Sequence, residues 1–101
     1  MIQSGRRQLK YLGTLHGDGM VSVENGARSL GRVSYEIDGY LDRTTRSASG
    51  QIEGAGLVLA QAFHAGAVSL ALGDGSSLDI VLSDPQGGGT AEISVRGAFP
   101  L

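Results

Sequence analysis

Two of the 101 residues are histidines, His16 and His64, and none is a cysteine. Without a thiol there is no disulfide, no thiolate metal site and no cysteine nucleophile. His16 and Asp18 flank Gly17 closely enough to share a metal, but a metal site needs three or four ligands in supported geometry. The expected places for His16 and His64 are therefore an exposed turn and the polar side of a helix. A serine nucleophile would need one of these histidines as its base, and no Gly-x-Ser-x-Gly elbow occurs. Glu36 and Asp38 alternate onto one strand face, as an acid and a base would, yet nothing beside them suggests an apolar pocket that would raise either pKa. No catalytic residue, metal or cofactor is expected, and the chain is not read as an enzyme.

Two glycine clusters could cradle phosphate. Gly54-Ala55-Gly56 lies between a short extended stretch and a helix, but Leu59 stands where a dinucleotide fingerprint has its third glycine, and no βαβ pattern surrounds it. Gly87-Gly88-Gly89 precedes a strand instead of a helix, and no Lys-Ser/Thr pair completes a phosphate loop. Both read as connections. Basic residues gather as Arg6, Arg7 and Lys10, with Arg43 and Arg46 in a separate stretch, and Tyr11 or Tyr40 offers a stacking surface such as OB-like barrels use on single strands. Ten acidic against eight basic residues give a net charge of -2, so no global positive field supports nucleic-acid binding.

The elements that would hold these residues are short and apolar on one side. Leu9, Tyr11 and Leu15 alternate with Lys10, Leu12, Thr14 and His16, which predicts a strand with Tyr11 inward. His16-Gly17-Asp18-Gly19 supplies turn chemistry, and residues 20–24 alternate again with Val21 and Val23 together. Asn25-Gly26 predicts a hairpin turn. Val33, Tyr35 and Ile37 share a face, with a possible phase slip at Gly39. Residues 42–49 read as a polar loop and 51–53 as a short extended stretch. Leu59, Ala62, Phe63 and Gly66 fall at helical spacing, predicting one short helix over residues 57–65 with Gly66 as its C-terminal cap. Val68, Leu70 and Leu72 then pair through Asp74-Gly75 with Leu78, Ile80 and Leu82, and Ile93 and Val95 close the series.

These one-sided strands predict an all-β domain: a small, mostly antiparallel barrel, or a two-sheet sandwich, of about seven strands plus the helix. Phe63 is placed to plug one end. The whole chain, 1–101, reads as one domain with residues 1–6 as a flexible N-terminus. No apolar run approaches bilayer length and no h-region follows the basic N-terminus, so a cytoplasmic location is the expectation. The remaining surface signal is apolar. Leu12, Met20 and Val81 fall on outward faces, and Ala67, Ser69 and Ala71 form a smooth outward stripe, which together suggest an interface.

Over Leu30-Gly31-Arg32-Val33-Ser34-Tyr35-Glu36-Ile37-Asp38, residues 66–75 and residues 87–97, the chain resembles a family of small uncharacterised bacterial β-rich proteins. The resemblance implies a β domain and brings no activity, cofactor or site residue with it. The functional expectation is a non-enzymatic interaction or structural module with a protein partner or a second copy of itself. The alternative is a barrel that binds a small ligand or single-stranded nucleic acid through Arg6, Arg7, Lys10, Arg43 and Arg46.

Overall fold

The computed structural model describes residues 9–101. The expected flexible segment 1–6, with Arg6, and its neighbour Arg7 lie outside the described residues. In order along the chain are β1 (Leu9–Val23), β2 (Arg28–Asp42), β3 (Thr45–Gly54), α1 (Gly56–Ala65), β4 (Ala67–Ala71), β5 (Ser77–Leu82) and β6 (Thr90–Arg96). Two three-stranded meanders, β1-β2-β3 and β4-β5-β6, are joined through α1. Their edges meet as β3·β6 and β1·β4, closing an antiparallel six-stranded barrel.

The closure is uneven. β3 and β6 pair from Ser49 to Glu53, whereas β1 meets β4 only at Met20, Val21 and Ser22. Among the described residues, positions 9–19 of β1 pair with β2 alone. The first meander therefore runs on past the barrel as an arm, and the molecule measures 51 × 29 × 21 Å.

The strands number six, close to the expected count of about seven, since the pieces before Asn25 are one strand. Gly17 and Gly13, with φ of 150° and 143°, take up conformations that side chains disfavour and keep β1 extended through what reads as a turn. The turn comes at Glu24, Asn25 and Gly26, all with positive φ, where Gly26 donates to the Val23 carbonyl and Ala27 to that of Glu24. The phase slip expected at Gly39 lies in the opposing strand: Tyr11 pairs with Tyr40 and Gly13 with Gly39, leaving Leu12 as the extra residue of a bulge. This bulge turns Tyr11 outward, contrary to the simple alternation. The expected polar loop over 42–49 contracts to a turn, since Asp42 already pairs with Thr45 and β3 has begun.

The interior is filled by side chains. Val21, Val33, Tyr35, Ile37, Ile52, Val68, Leu70, Leu72, Leu78, Ile80, Leu82 and Ile93 are buried, and Val95 is half-buried at the margin. α1 closes one end with Leu59 and Ala62, both fully buried, while Phe63 packs at the edge of the cluster. Val58 rests on Gly31, where a Cβ would come within 2.6 Å of its Cγ2. Gly66 takes a positive φ after the last helical turn, and its N–H donates to the Phe63 carbonyl. No helix among the described residues is long and apolar enough to cross a membrane.

Candidate functional site

The α1 end of the barrel presents an apolar surface. α1 turns Leu59 and Ala62 into the core, so the residues between them face out. Leu57 is 71% exposed. It forms part of a surface groove of about 440 Å³, lined also by Val23 at the end of β1, Arg28 and Leu30 of β2, and Ala60, Gln61, His64 and Ala65 of α1. The rim carries both signs: Arg28 Nε lies 3.6 Å from the Glu24 carboxylate, and His64 stands on the opposite wall. The helix-spacing argument found the inner stripe but passed over Leu57, an apolar residue out of phase with it.

The expected interface residues are partly gathered. Register places Ala71 opposite Met20, Ser69 opposite Ser22 and Asp79, and Ala67 opposite Val81, so five of the six share the outer surface of β1, β4 and β5. Leu12 lies apart, in the bulge on the arm. Ser69, Ser77 and Asp79 are interleaved with the apolar members, which gives a smooth mixed surface instead of an apolar one.

At the other end of the barrel, Leu15, His16, Gly17, Asp18, Tyr35, Leu72, Gly73 and Asp74 line a concavity of about 370 Å³. The Tyr35 ring lies over Gly17 and Gly19, and its hydroxyl accepts from the Gly73 N–H at 3.3 Å. Asp18 accepts from the Ser34 hydroxyl at 2.9 Å. Asp74 accepts from the Ser76 hydroxyl at 2.6 Å and the Ser76 N–H at 2.9 Å, and these donors hold its carboxyl below the ordinary value of 3.8. His64 sits on α1, far along the fold from His16. Among the described residues, no group of three or more His, Asp or Glu side chains is placed to hold a metal ion.

Glu36 and Asp38 remain on the outer face, flanked across the strands by Gln51 and Ser49. They line a polar concavity with Tyr40, Glu92 and Ser94, and Asp38 accepts from the Thr14 hydroxyl at 2.6 Å.

The basic residues that are separate in sequence meet at the tip of the arm. Lys10 pairs with Leu41, and Leu41 with Arg46, which puts both cations in one cross-strand row. Arg43 occupies the adjoining β2–β3 turn with φ 61°. Below this row, Gly13 and Gly39 leave a trough filled by the Leu101 side chain, with Phe99 against Gly39 and the Arg46 guanidinium 5.3 Å above the Phe99 ring. On the opposite face Tyr11, 56% exposed, stands 5.8 Å from Tyr40, centroid to centroid.

Fold and surface together define a closed antiparallel β-barrel with a filled interior, a helical plug and a projecting arm. No family model, curated protein or solved structure matches this chain at a significant level.

Proposed function

We propose that the protein is a non-enzymatic interaction module that pairs with a second copy of itself through the α1 groove. The observation that carries this reading is the position of Leu57, an exposed apolar side chain on the lip of the α1 groove that it helps to line. A surface with a projecting side chain on the lip of a groove is self-complementary about a two-fold axis: each Leu57 enters the groove of the other copy. Glu24 and Arg28, 3.6 Å apart where the first hairpin meets the groove, put both signs of charge beside that axis. The filled interior supports the same reading, because it leaves a small ligand only the outer surface.

Sedimentation velocity over a concentration series tests the proposal. A monomer–dimer equilibrium is expected, abolished by Leu57→Asp and unaffected by Ala71→Arg on the outer β4 surface. A strict monomer at high concentration overturns it. So does a dimer that survives Leu57→Asp but is lost in Ala71→Arg, since that result moves the interface to the β1, β4 and β5 surface.

A further inference from the structure

The two ends of β1 and β2 differ in chemistry. Val23 and Arg28 border the α1 groove, whereas Leu9 and Asp42 lie at the far end, where Lys10, Arg43 and Arg46 converge. One acidic side chain, Asp42, accompanies these three cations at the tip; Asp18, Glu36, Glu53 and Glu92 lie farther back, and Asp38, on the Tyr11 face, accepts from the Thr14 hydroxyl that also bonds the Tyr11 hydroxyl. A net charge of -2 for the whole chain therefore conceals a basic end.

We infer that the arm tip binds single-stranded nucleic acid, with Lys10, Arg43 and Arg46 on phosphates and Tyr11 as a stacking surface for a base. The arm is one sheet layer with Phe99 and Leu101 packed on one face at Gly13 and Gly39, so a chain crossing its end meets the cationic row on that face and the tyrosine on the other. Tyr40, tilted by 56° against Tyr11, braces the ring and leaves it 56% exposed. Base stacking on an exposed ring tolerates any sequence, because every base has a π-face. Phe99 holds the Arg46 guanidinium in place, which lowers the entropy lost when it meets a phosphate. The inference is independent of self-association, which uses the other end of the molecule.

The probe is a fluorescein-labelled oligothymidylate of about 15 nucleotides, followed by anisotropy at low and rising salt. Three phosphate contacts predict a slope of log K against log salt of about -2 for a single strand. Arg43→Glu with Arg46→Glu is expected to abolish binding, and Tyr11→Ala to weaken it about tenfold while leaving the salt slope unchanged. Circular dichroism checks that the variants are folded, and Lys10→Glu gives a second exposed-site test. Absence of binding at low salt overturns the inference, as does binding that survives the double arginine change. Equal affinity for a duplex of the same length removes the stacking role and overturns it too. Binding to vesicles containing phosphatidylserine without binding to the oligonucleotide assigns the tip to a lipid surface and equally overturns it.

Discussion

Leu57 and Leu59 are two positions apart on α1, and the fold gives them opposite tasks. Leu59 is fully buried between the two meanders and Leu57 is 71% exposed. Leu59→Ala removes three carbons from the core, worth about 2.4 kcal/mol at about 0.8 kcal/mol per buried methylene. The space left is framed by strands on several sides and collapses only in part, so a cavity contribution raises the cost to about 3–4 kcal/mol. Leu57→Ala uncovers little surface, costs roughly 0.5 kcal/mol in burial, and recovers part of that from the higher helix propensity of alanine. The assay is equilibrium unfolding in urea at a concentration where the wild-type protein is monomeric. With an m-value of about 1.5 kcal/mol/M, Leu59→Ala lowers the midpoint by about 2 M and Leu57→Ala leaves it nearly unchanged. Equal losses from the two variants, or a larger loss from Leu57→Ala, would mean that α1 presents a different face to the barrel, and the groove beside it would not exist as described.

Two further outcomes test the barrel itself. Gly50→Ala places a Cβ against the Glu36 carbonyl and 2.8 Å from Ile37 Cα, both backbone atoms that cannot rotate aside; a cost of about 3 kcal/mol and a drop on the order of 10 °C in Tm are expected by calorimetry, whereas Gly26→Ala, in open space at φ 88°, costs only about 1 kcal/mol. The Asp74 carboxyl, followed by NMR, titrates below 3.8 and moves back toward that value in Ser76→Ala; since its folded pKa lies below the unfolded one, its stabilisation is complete above the unfolded value and is lost as pH falls through the folded value.

The core was legible because alternation is a direct record of which residues face inward. Val33, Tyr35 and Ile37, and the pairs from Val68 to Leu82, are buried as their period requires, and the helix begins one residue before its expected start. Alternation fails where glycine intervenes. Gly17 and Gly19 look like turn residues, but here they make room for the Tyr35 ring inside a continuous strand. The bulge at Leu12 left no local mark, so the outward turn of Tyr11 could be found only from its pairing with Tyr40. The basic tip was half visible: Lys10, Arg43 and Arg46 could be named, but joining Lys10 to Arg46 needed the register of three strands. Leu57 was hidden for another reason, since a lone apolar residue off the helical stripe is common on any surface.

The short β1·β4 seam bears on how the barrel assembles. Its three pairs, Met20–Ala71, Val21–Leu70 and Ser22–Ser69, join positions roughly fifty residues apart, whereas Val23 and Arg28 at the first hairpin are near neighbours. Closing the longer span costs more chain entropy and returns few contacts, so the meanders can form from local hairpins before their edges meet. The same asymmetry orders the reverse process. The barrel is expected to open along β1·β4, with β3·β6 holding the meanders together, and native-state hydrogen exchange checks this: the amides of Met20 to Ser22 and of Ser69 to Ala71 exchange before those of β3 and β6.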